Sequence, residues 1–375
     1  MNAVSKETRI ERVEIYGYDV NYAHGTYIMS GDRRITSLPS TIVRVITAGG
    51  AEGFGEVCPL GPAYLPAFGG GARAAMELLG PAVIGQDVAD HSGLNARMDD
   101  ALMGHGYAKS AVDIASWDAL GRHSGLSVAA LLGGERQTRF PLYYAVPLGP
   151  VDEMAAYVED RRSEGIHNFQ LKLGDDPRQD AERVRVVAER ASEGDTVVAD
   201  ANCGWRSQDA VIAARLLEDL DHVLYEQPCP TIEECLLVRE RTTLPMVLDE
   251  VIVDVAALLR AHAANAMEQI NLKIGRVGGL TKAKQIRDLC ETLGLRMTIE
   301  DTWGGDVTTA AVAHLAGSTA PEAFFAASFM NDWVLERVAG HQPHSDNGYG
   351  VLPKGPGLGI EVDLSLLGSP ISTFV

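Results

Sequence analysis

Between residues 142 and 327, short apolar runs alternate with longer polar stretches. The runs are LYYAV (142–146), FQLKL (169–173), TVVAD (196–200), HVLYE (222–226), PMVLD (245–249), QINLK (269–273), RMTIE (296–300) and AFFAA (323–327). They are too short for helices and rich in β-branched and aromatic residues, the pattern of strands buried on both faces. The gaps place apolar residues at three- and four-residue intervals, as in DAERVRVVAERA and TKAKQIRDLCETLG, the spacing of amphipathic helices. This alternation predicts parallel βα units, and eight of them close a (β/α)8 barrel. The units share no internal repeat, which separates a barrel from a solenoid.

The rhythm differs before residue 136. RVEIYGYDV and TIVRVITAGGAEGFGEV alternate around a Gly-rich turn, predicting antiparallel strands. Two long helical patterns follow, over 70–103 and 108–132, the second closed by LLGG. We therefore expect an α+β domain over 1–136, a barrel over 137–345, and a Gly/Pro-rich segment over 346–375 that returns to the first domain.

Charge narrows the function. Over 375 residues, 32 Lys and Arg face 51 Asp and Glu, and the net charge of −19 is spread along the chain. That argues against nucleic acid and anionic membrane as partners. No run approaches the roughly 20 apolar residues of a membrane span, and the opening MNAVSKETRIERVEI lacks the apolar core of a secretory leader. The five cysteines are odd in number and show no CxxC spacing, pointing away from a disulfide framework or zinc site. A reduced cytoplasm is expected.

The strand ends carry the chemistry. The second strand bears Lys172, the third ends on Asp200, the fourth on Glu226, the fifth on Asp249, the sixth on Lys273 and the seventh on Glu300 with Asp301. In a barrel these ends share one mouth. One strand-end acid alone reads equally as a helix N-cap. Three on successive strands would repel one another in a low-dielectric mouth unless a cation compensated. All-oxygen ligation suits a hard ion, Mg²⁺ with Mn²⁺ as the alternative.

These residues sit in motifs. DAN (200–202), EQP (226–228), LDE (248–250), LKIGRVGGL (272–280) and AVDIASWDALGRHSGLSVAALLGG (111–134) resemble the enolase superfamily, in its mandelate racemase/muconate lactonizing enzyme subgroup. The resemblance covers nearly the whole chain. It implies an α+β capping domain over a modified barrel, and abstraction of a proton α to a carboxylate by a lysine working beside Mg²⁺. Lys172 and Lys273, on opposite sides of the ring, then address opposite faces of one carbon. A metal ion and a second ammonium are expected to push the base's pKa down from about 10.4. The subgroup's strand-two motif is Lys-x-Lys; here the first position is Gln170, so that extra cation is missing. Gln170, Asn202 and Glu250 are read as supporting residues.

In this family the capping loops select the substrate. Here YAHGTYIMSG (22–31) and CPLGPAYLP (58–66) supply His24, Tyr27, Met29 and Tyr64, and EDTWGGD (300–306) and SFMNDW (328–333) supply Asp301, Asp306, Trp303 and Phe329. Acids among aromatics suit a substrate cation, so a small, amino-acid-like carboxylate is expected, with its ammonium toward Asp301. The segments resemble the family's proline-derivative branch, implying β-elimination of water from a hydroxyproline or epimerisation of a proline derivative. The resemblance also suggests a homo-oligomer. A catalytically idle barrel kept for binding is the alternative outside enzymology; the intact acids and lysines count against it.

Overall fold

The computed structural model describes residues 6–192 and 194–375; residues 1–5, where the reading of the leader begins, lie outside them. Eight parallel strands run in chain order around one sheet: Tyr143–Val146, Asn168–Lys172, Thr196–Asp200, Val223–Glu226, Met246–Leu248, Gln269–Lys273, Arg296–Glu300 and Phe324–Ala327. A parallel bridge between Leu142 and Ala327 joins the last strand to the first. The register sets Lys172 beside Asp200, Asp200 beside Glu226, and Lys273 beside Glu300. Side chains at equal register on neighbouring parallel strands share a level. The functional candidates therefore form the top layer of the barrel interior.

The outer helices start where local chemistry allows. Asp176 accepts from the backbone N–H groups of Arg178 and Gln179, with Pro177 pre-set in the first turn, and Thr231 and Asp254 cap the helices Ile232–Arg239 and Val255–Ala263. Each helix turns a face such as Ala181, Val184, Val187 and Ala188 onto the sheet. The helix after the seventh strand, Asp306–Gly317, is buried along its whole length, because the capping domain covers its outer side.

In that domain, Ile10–Asn21 pairs with Ser37–Thr47, which pairs with Glu52–Val57, all antiparallel. Ser372–Phe374, from the C-terminal segment, pairs with the first of these strands. Gly53 and Gly55 allow the helix Gly106–Ser124 to lie against the sheet: a Cβ there would come within 2.0 Å of the Ala115 carbonyl oxygen and 1.9 Å of the Ala111 one. Each of the two long helical patterns breaks once, into Gly69–Val83 and His91–Ala101, and into Gly106–Ser124 and Val128–Leu131. Among the described residues no helix is long and apolar enough to cross a membrane. Cys58, Cys203, Cys229, Cys235 and Cys290 are free thiols.

Candidate active site

A small cavity lies between the barrel mouth and the capping loops. Lys172, Lys273, Gln170 and Asn202 form its floor, with Tyr143 and Glu300; Asp301, Trp303, Tyr27, Met29 and Tyr64 form its upper wall, with Met330 and Trp333. Two strands on opposite sides of the ring thus bring both lysines to one space.

The three strand-end acids sit at the level of the lysines, at most 1% exposed. Lys172 Nζ donates to Asp200 Oδ2 at 2.5 Å. Lys273 Nζ donates to Asp249 Oδ2 at 2.5 Å and lies 3.0 Å from Glu300 Oε1. Arg276 adds a second cation, 2.6 Å from Asp249 Oδ1. Glu226 instead meets amides: Gln170 Nε2 donates to its two oxygens at 3.0 and 3.1 Å, and Asn271 Nδ2 donates to Oε1 at 2.6 Å. Asn202 donates its backbone N–H to Asp200 and its amide to Glu250, which also accepts from Tyr64 at 2.5 Å. As they stand, these side chains do not form a coordination shell; among the described residues no three His, Cys, Asp or Glu side chains converge to one.

The electrostatics follow from that layout. Burial, with Asp200 and Asp249 beside it, pushes the Glu226 carboxyl well above the usual range. The same causes raise Glu250 to about 7. Burial also pushes Asp249 up, but Arg276 and Lys273 outweigh it and hold that carboxyl below its ordinary value. For the lysines, burial pulls the pKa down and the neighbouring acidic groups outweigh it: the Asp200 carboxylate, the Tyr27 phenol and Glu226 raise Lys172, and Asp249 and Glu300 raise Lys273. Each ammonium has a carboxylate partner at contact distance.

Three sequence candidates fall outside the cavity. Phe329 packs edge-on against Phe140, 6.0 Å between centroids, on the far side of the turn Met330–Trp333. It is Trp333, from the same segment, that lines the cavity, held there because Tyr22 of the capping loop bridges to Val334. Asp306 accepts from the Asn331 side chain and from the Ala339 backbone N–H, a structural role. His24 stands edge-on to Tyr22 and Tyr157, off the cavity wall. Asp301 does face the cavity, its two oxygens accepting from the backbone N–H groups of Gly275 and Thr302 at 2.7 Å; burial raises it to about 6.

Residues not singled out in the sequence are Tyr143, Asn271 and Arg276, while Glu300 is noted there only as a strand end. Tyr143 donates to Glu300. Period-two alternation was the available signal: Tyr143 precedes inward Ala145 by two, and Asn271 precedes Lys273 by two.

Comparison with known proteins decides the family. Residues 30–133 match the mandelate racemase/muconate lactonizing enzyme N-terminal domain, and residues 153–366 match the enolase C-terminal domain-like model. The chain belongs to the mandelate racemase/muconate lactonizing enzyme family. As a member of that family it is similar to the cis-3-hydroxy-L-proline dehydratase of Roseibium aggregatum, 42% identical across 98% of this chain and 100% of that one. Its fold matches a family member from Roseovarius nubinhibens ISM at a TM-score of 0.93, with 35% identity over 98% of this chain and 99% of that one. An enolase-superfamily member from the same organism, solved in complex with magnesium, matches at 0.92 with 34% identity over 98% and 99%.

Proposed function

We propose that the chain is a Mg²⁺-dependent hydro-lyase acting on cis-3-hydroxy-L-proline, with 1-pyrroline-2-carboxylate as product. The observation that carries the reading is the pair of buried lysines facing one cavity from the second and sixth barrel strands, beneath an aspartate and aromatic rings. Full-length similarity to a cis-3-hydroxy-L-proline dehydratase supports the substrate.

The residues fit a divalent cation. Asp200, Glu226, Asp249, Glu250, Glu300 and Asp301 crowd a mouth whose buried cations are Lys172, Lys273 and Arg276, and the Glu226 oxygens meet only amide donors. Asp200, Glu226 and Asp249 would hold the ion, Mg²⁺ or Mn²⁺, which when bound supplies electrostatic stabilisation of the charge that builds on the substrate carboxylate. In cis-3-hydroxy-L-proline the hydroxyl and the carboxylate share a ring face, so the α-hydrogen and the hydroxyl lie on opposite faces. One lysine, as the free amine, takes the α-proton; the opposite ammonium protonates the departing hydroxyl. The ring enamine left behind shifts a proton to give the imine. Asp301 receives the substrate ammonium, with Trp303, Trp333, Tyr64 and Tyr27 around it.

The decisive experiment is incubation with cis-3-hydroxy-L-proline and Mg²⁺ in D₂O. Trapped imine is the expected result. Deuterium at Cα with inversion and no imine would instead establish the second reading, epimerisation of a proline derivative, which the same two lysines favour. Neither product nor exchange with any proline derivative would leave only an idle barrel.

A further inference from the structure

The barrel helix Asp306–Gly317 begins after Gly305, which has no side chain to cap it. The cap comes from the other domain. Glu56, at the end of the strand Glu52–Val57 and 1% exposed, accepts from the backbone N–H groups of Gly305 at 3.0 Å and Thr308 at 2.9 Å. Its Oε1 also accepts from Tyr18 Oη at 2.5 Å and Ser40 Oγ at 2.7 Å. A carboxylate at a helix N-terminus satisfies free donors and faces the positive end of the helix. Glycine at 305 is what lets the strand approach, since a Cβ there would lie 2.4 Å from Tyr18 Oη.

Residues 301–303, directly before this junction, are cavity wall. Trp303 is wedged between Tyr27, Tyr22 and Trp333, with centroids 5.2, 5.8 and 6.1 Å away. The chain between Asp301 and Gly305 is therefore pinned at its far end by a side chain that never touches the cavity. We infer that Glu56 is a positioning residue: by capping the helix from the capping domain it sets where Asp301 and Trp303 meet the substrate. The inference rests on the cavity being the substrate site.

The test combines amide hydrogen exchange, which needs no substrate, with steady-state kinetics on cis-3-hydroxy-L-proline in the full chain with Mg²⁺. Glu56→Gln sets an NH₂ group among N–H and O–H donors; it is expected to speed exchange over 301–309 at least tenfold, leave 196–200 unchanged, and raise KM at least fivefold with a smaller change in kcat. Tyr18→Phe keeps both backbone contacts and should leave KM near the parent value. Unchanged exchange over 301–309, unchanged KM, or an equal KM rise in Tyr18→Phe overturns the inference. Should Glu56→Gln not fold, Gly305→Ala disturbs the same junction and is read by the same criteria. A parent protein inert toward the substrate would refute the dehydratase reading alone, and the exchange arm would still decide the anchoring.

Discussion

A lysine used as a base must give up its proton, yet each lysine here is held by acids that stabilise the ammonium. Lys172 has Asp200 at 2.5 Å; Lys273 has Asp249 at 2.5 Å and Glu300 at 3.0 Å. A divalent cation held by Asp200 and Asp249, as proposed, would cancel that pull and link lysine basicity to metal binding through the same oxygens. The two lysines separate by experiment. Lys→Ala at the base should abolish α-deuterium exchange and dehydration together, whereas Lys→Ala at the acid should slow dehydration and spare exchange. We expect Lys172→Ala and Lys273→Ala both to lose at least 10²-fold in kcat, the scale of a general acid or base, with one retaining exchange. Dehydration at the parental rate in either variant refutes the two-lysine mechanism. Asp301 makes a second, independent prediction. Its carboxylate is oriented by two backbone N–H groups, and a charge-assisted hydrogen bond contributes about 1.5–3 kcal/mol. Asp301→Asn should therefore reduce kcat/KM about tenfold or more; an unchanged value would place the ammonium elsewhere.

At the level of elements, the eight barrel strands were legible to within a residue, and the lysines and acids with them, because strand ends in a barrel have one destination. What stayed hidden depended on irregular backbone. Gly85 and Gly125 take positive φ, and Asp90 caps a new helix, so patterns that look continuous over 70–103 and 108–132 each break. Phe329 and Trp333 exchange places because the turn Met330–Trp333 has no fixed period; only the bridge from Tyr22 to Val334 decides which ring faces inward. The helix Asp306–Gly317 carries one more consequence of complete burial. His314 within it accepts from the Ala129 N–H at 3.1 Å, and burial lowers its pKa to about 4. The unfolded chain takes up that proton near pH 6.5. Below that pH the unfolded state binds more protons, so stability falls as pH drops from about 6.5 to about 4 and the loss then levels off. His314→Asn keeps an acceptor at the same depth without the titration. Urea unfolding at pH 7 and pH 4.5 should show the parent losing about 2–3 kcal/mol more than the variant. Equal losses would mean that His314 is not held neutral.

For the whole molecule, one apolar cluster runs from the capping loops (Tyr22, Tyr27, Met29) through Trp303 and Trp333 into the barrel, so the active-site roof and the barrel share one core. A ligand at the mouth thus stabilises both domains at once. The mouth also concentrates a charge problem that the chain has overall, with 51 acids against 32 bases. Protonation is one relief, visible in the raised Glu226 and Glu250 carboxyls; a divalent cation is the other. If Asp200, Glu226 and Asp249 hold that ion in the folded chain only, Mg²⁺ at 100 times its Kd adds about 2.7 kcal/mol of stability, or about 3–4 °C in Tm at roughly 1.3 °C per kcal/mol for a chain of this size. Glu226→Gln preserves shape and an acceptor but removes one charge. It should abolish turnover, lose most of the Mg²⁺-dependent rise in Tm, and keep a Tm in chelator at or above the parent's, because it relieves acid–acid repulsion. Chelator should silence the parent and added Mg²⁺ or Mn²⁺ restore it. Turnover in a metal-free preparation, or a Glu226→Gln variant that gains the full rise in Tm with Mg²⁺, would remove the metal from these three acids.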